Sequence, residues 1–300
     1  MGNNYPLVTC FILNWNRKEE TVRAINSVKI QSYKNIEILV VDNGSEDGSV
    51  NYIKEKCSDI KCIELDKNYG CPGGRNRGIQ YCNGDFIFFC DNDGVLHCDA
   101  IKNAVKIILS DEKIAVVTGL VKDFSEESEI NTFCELLNDN SCQVNTFQGG
   151  ISLHRKKVYT DISLYPDDYM YGGEEKYLSF RILDNGYKII KNKDVVLWHK
   201  KSIVSRDIKS ESVSCLCNQL VNAYQLYPIE YFLSFFLYYM LVYSLYALRY
   251  NVFKEFLIAQ YSIIKRLKKY KRLPVKRRTY YLYRKIGSSL KCAVDKQYKR

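Results

Sequence analysis

Short apolar runs alternate with longer segments of helical periodicity from residue 7 to about residue 120. The apolar runs predict strands at residues 7–13, 36–41, 61–65, 86–90 and 114–118. The segments between them predict helices at residues 19–30, 49–56, 73–81 and 100–109. This alternation is typical of an α/β fold in which helices cover both faces of a parallel sheet. Ligands bind such sheets at the carboxyl ends of the strands, so the residues after each strand are the first candidates for a site.

The pattern changes after the fifth strand. Residues 121–145 are polar and irregular and predict a loop or an insertion. Order returns at residues 147–153, followed by a predicted helix at 174–184 and predicted strands at 187–190 and 195–198. From about residue 205 the chain is helical, then aromatic, then basic. We therefore predict an α/β domain over residues 1–204, a helical, aromatic-rich extension over 205–264 and a basic tail over 265–300.

The predicted tail carries the positive charge of the chain. Residues 265–300 contain 15 Lys or Arg and one acid, a net +14 (15 − 1), so the total of +10 leaves about −4 (10 − 14) for the other residues. This distribution favours an anionic membrane surface as the partner of the tail, rather than a basic catalytic groove. A basic tail can also bind nucleic acid, but nucleic acid is not the partner we predict for this tail.

Residues 229–248 form a nearly uncharged stretch that is long enough to span a bilayer. Its five tyrosines favour the membrane interface, so we predict a helix lying on an anionic leaflet. A packed core or homodimer helix and a true membrane span are the alternatives. The first ten residues lack the basic region and apolar run of a secretory signal, which predicts a cytoplasmic protein, peripheral on the inner face of the membrane.

Candidate nucleotide-binding residues follow the first strands. Trp15 offers an aromatic face that stacks on a base, and the carboxylate of Asp42 accepts from a pyrimidine ring N–H, so the two are candidates for holding uracil or thymine. An ordinary turn with a helix cap is the alternative for residues 42–48. The glycine-rich segment 68–78 carries Arg75, whose guanidinium suits a diphosphate or a base. A surface loop is the alternative there.

Two carboxylates at spacing i, i+2, Asp91 and Asp93, follow the fourth predicted strand. Hard oxygen ligands at this place suit Mg²⁺ or Mn²⁺ bridging a diphosphate. Such a metal offsets the charge that builds on a departing nucleoside diphosphate when a glycosidic bond breaks. A pair of acids in a solvated turn is the common alternative, but the apolar strand directly before them favours a functional site.

Acidic and imidazole side chains complete the set. Glu174 and Glu175 stand at a predicted helix start, where the helix dipole also favours acids. In the functional interpretation one of them takes the proton from an attacking hydroxyl, because two adjacent acids keep one ionised beside the other. His199 ends the last predicted strand, where a third metal ligand would complete the site, although a lone histidine is more often structural.

Taken in order, seven segments resemble glycosyltransferase family two, the inverting enzymes of the GT-A fold. The segments are LNWNR (13–17), VVDNGSEDGS (40–49), NYGCPGGRNRG (68–78), FFCDNDG (88–94), FQGG (147–150), YGGEEKYLSFR (171–181) and LWHK (197–200). The resemblance covers about residues 5–200. It implies a GT-A Rossmann-like, mostly parallel sheet between helices, with a C-terminal helical, membrane-associating extension. The QxxRW motif and multiple spans of processive synthases are absent, so the chain looks like the non-processive, rhamnosyltransferase-like members.

The resemblance also implies residue roles. Members usually carry Glu-Asp where this chain has Glu174-Glu175, so Glu175 aligns with the catalytic base and Glu174 is a second candidate. Gly149 and Gly150 match the acceptor-side loop. The implied donor-binding residues are Trp15, Asp42, Asn43, Arg75, Asp91 and Asn92. By the resemblance Asp42 and Arg75 bind the nucleobase, Trp15 stacks on it and Asp91 lies near the ribose. The implied metal ligands are Asp93, His199 and Asp91.

By this resemblance the chain moves a sugar from a UDP- or dTDP-linked donor to an acceptor hydroxyl, with inversion and with Mn²⁺ or Mg²⁺ as cofactor. The acceptor is a glycan, a lipid-linked or a protein hydroxyl, in cell-surface glycan or lipid-linked oligosaccharide synthesis. Two alternatives stay open at this point. One is a nucleotidyltransferase, which leaves the Gly-Gly-Glu-Glu and Trp-His segments unexplained. The other is a catalytically inactive, transferase-like binding protein.

Overall fold

The computed structural model describes residues 5–124, 141–200, 208–249 and 253–297. Within these ranges the strands are β1 Val8–Asn14, β2 Ile36–Asp42, β3 Lys61–Glu64, β4 Phe86–Asp91, β5 Gly94–Leu96, β6 Ile114–Phe124, β7 Ser141–Val144, β8 Ile151–Arg155 and β9 Lys188–Lys200. The α-helices are α1 Lys18–Lys29, α2 Ser49–Lys56, α3 Gly70–Ile79, α4 Ala100–Ser110, α5 Glu174–Asp184, α6 Ile208–Leu226, α7 Ile229–Arg249, α8 Phe253–Lys269 and α9 Arg277–Gln297. A short π-helix covers Val158–Ile162.

The strands of the described residues form one sheet in the order β3-β2-β1-β4-β8-β6-β9-β5, with β7 also paired to β9. Strands β1 to β4 are parallel to one another. Strand β8 is antiparallel to both β4 and β6, and β9 is parallel to β6, so β6 and β9 point the same way as β1. Six of these nine strands therefore run in one direction, which confirms the predicted mostly parallel sheet.

Both faces of the sheet are buried, which explains why its strands are continuous apolar runs rather than alternating ones. Successive side chains of a strand point to opposite faces. In β4, Phe88 packs with the core cluster that includes α1 and α4, whereas Phe89 packs with the cluster that includes residues of α3 and α5. The helices thus cover both faces, as the alternation of segments predicts.

The predicted elements between residues 7 and 118 are confirmed in kind and order, and the predicted helices at 49–56 and 174–184 have the observed bounds. The strand predicted at residues 114–118 is longer than expected and continues to Phe124. The strands predicted at 187–190 and 195–198 are one strand, β9. A register shift between β6 and β9 accommodates the polar residues between them, so the break in the apolar pattern is not a break in the strand.

The loop or insertion predicted at residues 121–145 is wrong at its two ends. Residues 121–124 complete β6 and residues 141–144 form β7, while residues 125–140 lie outside the described residues. The sequence misses β7 because three of its four side chains are exposed, so it has no apolar run. The short strand β5, which directly follows the two aspartates, is also absent from the predicted elements.

Helices α6 to α9 pack on the end of the sheet domain that carries α5. Leu226 on α6 and Tyr280 on α9 lie in one buried cluster with Phe180 of α5. Helix α8 packs against α6 through Ala259 and Ile263. Among the described residues, the basic side chains after position 264 therefore lie on the end of α8, in the connection 270–276 and on α9, and both helices contact the folded body. The three-part division into 1–204, 205–264 and 265–300 stays a prediction.

Candidate active site

Three parallel strands deliver polar side chains to one edge of the sheet. In the β1–β2 register Asn14 lies opposite Asp42, and in the β1–β4 register Leu13 lies opposite Asp91. This edge opens into a cleft of about 960 Å³. Among the predicted site residues, the lining includes Trp15, Asn43, Arg75, Asp91, Asn92, Asp93, Glu174, Glu175 and His199. The sheet therefore brings nine of the ten predicted residues to one cavity.

One wall of the cleft, the sheet wall, consists of Arg17, Asp91, Asp93 and His199. Strand β5 pairs antiparallel with β9 and sets Gly94 opposite His199, which brings the imidazole to Asp93. The Asp93 Oδ2 atom lies 3.1 Å from His199 Nε2 and 2.5 Å from Arg17 Nη1. Burial acts to raise the pKa of Asp93, but the hydrogen bond and charge of His199 and the charge of Arg17 lower it overall. Asp93 is therefore held as a carboxylate.

The side-chain oxygen and nitrogen atoms of the sheet wall are suitable ligands for a divalent metal ion. A carboxylate and an imidazole lie in direct contact at Asp93 and His199, and the Asp91 side chain, 43% exposed, opens into the same cleft. Carboxylate oxygen suits Mg²⁺ and Mn²⁺, and imidazole is a ligand for transition metals. Arg17 donates to the same Asp93 oxygen that His199 contacts, so a bound cation would share or replace this guanidinium contact. The chemistry of these side chains thus suits a cation at Asp93 and His199.

Arg75 lies at the centre of the cleft and is almost completely buried. Its guanidinium packs over the rings of Phe89 and Tyr165, and its Nη2 atom lies 3.9 Å from Asp91 Oδ1. A Cβ atom on Gly149 would come within 2.6 Å of Arg75 Nη1 and 2.7 Å of Glu175 Oε1. The backbone of Gly149 therefore passes directly beside both groups, because no side chain stands between them.

Gly150, next in the chain, has the same kind of contact with Asp91. A Cβ atom at Gly150 would overlap the Asp91 carboxylate, and the backbone N–H of Asp91 donates to the Gly150 carbonyl at 3.0 Å. The two glycines allow the segment before β8 to run against the reactive edge of the sheet. We infer that side chains larger than hydrogen are incompatible with this arrangement.

Asp42 is the predicted site residue that does not line the cleft. It is fully buried, and its two oxygens accept hydrogen bonds from Asn14 Nδ2 at 2.7 Å and from the backbone N–H of Ser45 at 2.8 Å. In this structure Asp42 orders the end of β1 and the turn after β2. Its predicted contact with a nucleobase stays a prediction that requires these hydrogen bonds to rearrange.

Asn43, Asn92 and Trp15 line the part of the cleft where a nucleotide is expected. Asn43 Nδ2 donates to Asn68 Oδ1 and to the Gly70 carbonyl, both at 3.0 Å, which fixes the start of α3. Asn92 Nδ2 donates to Asn14 Oδ1 at 3.2 Å. The Trp15 side chain is left exposed at the cleft. Its ring is therefore available for stacking.

The second wall, the helix wall, consists of Glu174, Glu175, Lys176 and Gln219. Glu174 and Glu175 begin α5 directly after Gly172 and Gly173, whose φ angles of 77° and 92° make the sharp turn that starts the helix. Glu174 is buried, and its Oε2 atom has no hydrogen-bond partner among the described residues. Burial and the neighbouring charge of Glu175 raise the pKa of Glu174 to about 7. Glu175, by contrast, reaches the cleft beside Arg75.

Two asparagines of α6 hold the turn before the glutamates, and no sequence motif selects them. Asn218 Nδ2 donates to the carbonyls of Tyr171 and Gly172 at 3.0 and 2.6 Å, and Asn222 Nδ2 donates to the Gly173 carbonyl at 2.8 Å. The two residues are four apart, so they lie on one face of α6. The four-residue spacing of these asparagines is visible in the sequence. The same spacing is too common in helices to identify a functional pair by itself.

Arg266 of α8 supports this amide clamp, by which we mean Asn218 and Asn222. Its Nη1 atom donates to Asn218 Oδ1 at 2.7 Å, and its guanidinium lies over the Tyr169 ring. Tyr169 in turn donates from its hydroxyl to Asn222 Oδ1 at 2.8 Å. The C-terminal helices therefore position the segment that carries the glutamates, a role that the sequence did not predict for them.

The family model described as Glycosyl transferase family 2 matches residues 9–160. The chain is 26% identical over 210 residues to the glycosyltransferase AglE of Haloferax volcanii, in an alignment that covers 66% of this chain and 68% of AglE. It is also 32% identical over 137 residues to the UDP-Glc:alpha-D-GlcNAc-diphosphoundecaprenol beta-1,3-glucosyltransferase WfaP of Escherichia coli, covering 42% of this chain and 53% of WfaP. Like WfaP, several other curated relatives are matched over about half their length or less.

Solved structures share the fold. The mannosyltransferase PcManGT from Pyrobaculum calidifontis, in complex with GDP-Man and Mn²⁺, superposes with a TM-score of 0.58 over 74% of this chain and 64% of that protein. Its sequence identity is 17%, so the likeness is one of architecture. The match agrees with the observed central sheet flanked by helices.

Proposed function

Because this chain belongs to glycosyltransferase family 2, we propose that it is an inverting, metal-dependent transferase of a sugar from a UDP- or dTDP-linked donor to an acceptor hydroxyl. One observation carries the proposal. The Asp93–His199 pair, Arg75, Asp91 and Glu175 line a single cleft at the carboxyl edge of the sheet. A donor diphosphate, a cation and a base are thereby within reach of one reacting carbon.

The sheet wall is the proposed donor side. Trp15 stacks on the pyrimidine, and Asn43 and Asn92 line the same part of the cleft. Asp93 and His199 would hold the divalent metal, with Asp91 as a further acid in the same cleft. When bound, the metal offsets negative charge on the leaving nucleoside diphosphate. Arg75 lies 3.9 Å from Asp91 Oδ1 and beside the same glycine as Glu175, and its role is to orient the sugar and diphosphate.

Glu175 is the proposed base. Its carboxylate takes the proton of the acceptor hydroxyl, and the hydroxyl oxygen forms a bond to the anomeric carbon. The bond from that carbon to the diphosphate oxygen breaks, and its electron pair leaves with the nucleoside diphosphate. Attack from the face opposite the leaving group inverts the anomeric configuration. Burial and the charge of Glu175 raise the pKa of Glu174 to about 7, so Glu174 is partly protonated at neutral pH. Glu175 is the member of the pair whose carboxylate lies beside Gly149 and Arg75.

The predicted partner of the C-terminal helices is an anionic membrane surface, and exposed apolar residues support it. Helix α7 is long and apolar enough to cross a membrane by length and composition, and most of it is exposed. The side chains of Leu237 and Leu241 are 70% and 64% exposed. Basic residues follow on α8, so apolar contact and attraction to anionic lipid act together. We propose a peripheral enzyme on the cytoplasmic face of the membrane that uses a glycan or lipid-linked acceptor.

A panel of UDP- and dTDP-sugars tests the transferase function. Purified protein is incubated with each sugar and Mn²⁺, and nucleoside diphosphate release is followed with and without EDTA. We expect slow, metal-dependent hydrolysis of at least one donor, because water replaces the missing acceptor. If every donor is neither bound nor hydrolysed, the proposal is wrong.

Flotation with vesicles tests the membrane surface separately. We expect the protein to float with vesicles that contain phosphatidylglycerol and not with pure phosphatidylcholine. The double substitution Leu237→Glu with Leu241→Glu should abolish flotation. Leu109→Glu with Leu164→Glu, two exposed leucines of the sheet domain, is the matched control and should float normally. Equal flotation of both variants would contradict this orientation.

A further inference from the structure

Lys176, directly after the two glutamates, is a cleft residue for which the proposed reaction has no use. Its Nζ atom donates to Gln219 Oε1 of α6 at 3.2 Å. Both residues line the cleft at the helix wall. The ammonium group also lies 5.6 Å from the ring centre of Tyr227 and 5.9 Å from that of Phe235. A positive charge is thus held between aromatic rings beside the base.

The surroundings of Lys176 leave its charge uncompensated. Among the described residues, no carboxylate forms an ion pair with its Nζ atom within 4.0 Å; its hydrogen-bond partner there is a neutral amide. Loss of hydration in this environment lowers the pKa of Lys176 to about 8, and no acidic side chain counters that shift. Removing an ammonium group from water without a counter-ion costs free energy. A bound anion would offset this cost by stabilising the charged form.

The base and the ammonium group stand at consecutive positions on the first turn of α5. Glu175 faces Gly149 and Arg75, whereas Lys176 faces α6 and α7 through Gln219 and Phe235. The Asp93–His199 pair belongs to the other wall and is carried by the sheet. An anion at Lys176 therefore lies on the helix side of the base, while the donor diphosphate lies on the sheet side.

We propose that Lys176 and Gln219 form an anion-binding subsite for the acceptor, which carries a phosphate group close to the hydroxyl that receives the sugar. Lys176 supplies the charge, and the amide of Gln219 orients the ammonium group and is available to donate to the phosphate from its nitrogen. Phe235 belongs to α7, the helix with the exposed leucines, so the subsite borders the surface proposed to contact lipid. Assignment to the acceptor rests on the proposed transferase function; anion binding itself does not.

The test measures phosphate binding directly. Inorganic phosphate and decyl phosphate, the latter below its micelle concentration, are titrated into the protein by calorimetry in EDTA, so that no divalent cation carries the anion. We expect Lys176→Met to weaken binding of both probes at least tenfold. Methionine keeps an unbranched chain between Tyr227 and Phe235, so the variant should fold. Lys176→Arg, which keeps the charge, should retain binding within a few fold.

Lys157→Met is the matched control, since Lys157 also lies over a tyrosine ring, that of Tyr187, but is exposed and outside the cleft lining. It should bind both probes as the native protein does. Equal phosphate affinity in Lys176→Met and the native protein overturns the subsite.

The two probes distinguish the source of the phosphate, and the outcomes separate the two proposals. Tighter binding of decyl phosphate than of inorganic phosphate supports a lipid phosphate, and equal binding supports a soluble sugar phosphate. If the native protein hydrolyses no nucleotide-sugar but Lys176→Met still loses phosphate binding, the transferase proposal fails while the anion site stands. If donors are hydrolysed and no phosphate binds, the subsite fails alone.

Discussion

Asp93 on the sheet wall differs in its electrostatic surroundings from Glu174 and Lys176 on the helix wall, whereas burial raises the pKa of Asp91, the other acid of the sheet wall. On the sheet wall, Asp93 contacts both Arg17 and His199, so the negative charge is balanced by neighbours. On the helix wall, Glu174 is buried beside another acid, and Lys176 has a neutral amide as its partner. The first arrangement stabilises the ionised form of a side chain, and the second favours the neutral form.

This difference separates two tasks. A group that holds a cation must stay ionised at every working pH, which the paired carboxylate of Asp93 does. Groups that hold no cation need not stay ionised, so burial can shift their pKa values toward neutrality. The pKa of Glu174 is raised to about 7 and that of Lys176 is lowered to about 8 by burial. We therefore interpret the sheet wall as the donor side and the helix wall as the proton-transfer and acceptor side.

The largest effect should come from removing the charge of the sheet wall. Asp93→Asn keeps the shape of the side chain and should lower metal-dependent donor turnover by roughly 10³-fold, because the cation loses its charged ligand. Asp167→Asn, at an acid that pairs with Arg77 outside the cleft lining, should turn over the donor normally. Steady-state nucleoside diphosphate release measures both. If a folded Asp93→Asn variant turns over the donor as fast as the native protein does, Asp93 has no part in the mechanism.

The next effect distinguishes the two glutamates. Glu175→Gln should lower transfer by roughly 10²- to 10⁴-fold while nucleotide affinity is kept, because only the proton acceptor is lost. Glu174→Gln should keep most of the transfer activity. Product formation and calorimetric UDP binding are measured on both variants. If Glu174→Gln has the defect and Glu175→Gln does not, the base is Glu174.

A smaller effect is expected when the amide clamp is removed. Asn218→Ala should lower kcat roughly 10- to 100-fold and leave the donor KM nearly unchanged, since it displaces the turn before the base and not the sheet wall. Asn218→Ser, which keeps a short donor, should recover part of the loss. Asn103→Ala removes a comparable side-chain bond to the Asp194 carbonyl away from the cleft and serves as the control. A raised KM with unchanged kcat would contradict the positioning role.

The smallest effect concerns stability. The pKa of Glu174 is raised from 4.5 to about 7 in the folded protein, so the folded state binds more protons than the unfolded state in that range. Its contribution to the free energy of unfolding is therefore fully present below about pH 4.5 and lost as the pH rises through 7. Glu174→Gln should be more stable than the native protein at pH 8, by about 1–3 kcal/mol, and similar at pH 4. Thermal unfolding at both pH values measures the difference in stability between Glu174→Gln and the native protein. A gain in stability at pH 4 without one at pH 8 would contradict the raised pKa of Glu174.

The sheet wall was predictable from sequence because its residues follow strands. Asp91 and Asp93 come after an apolar run that is buried on both faces, and parallel strands bring their carboxyl ends to one edge. Arg17 was not selected, although it stands in the same segment as Trp15, because its partner Asp93 is 76 residues away. Local patterns identify the edge and do not identify which distant charges pair across it.

The helix wall was predictable only in its own segment. The Glu174-Glu175 pair at a helix start is visible in the sequence, but the residues that hold it, Asn218 and Asn222, lie more than 40 positions later on a helix with no distinguishing pattern. The burial that shifts the pKa of Glu174 and Lys176 also depends on how α6 and α7 pack on α5. Tertiary packing therefore decides the chemistry of this wall, and composition does not reveal it.

The most direct test of the account is a crystal structure of the protein with UDP and Mn²⁺, with anomalous diffraction recorded at the manganese edge. We predict one anomalous peak coordinated by Asp93 and His199, with the uracil ring on Trp15 and the diphosphate facing the cleft beside Glu175. A nucleotide bound at another surface, or a manganese peak away from both residues, would contradict this prediction.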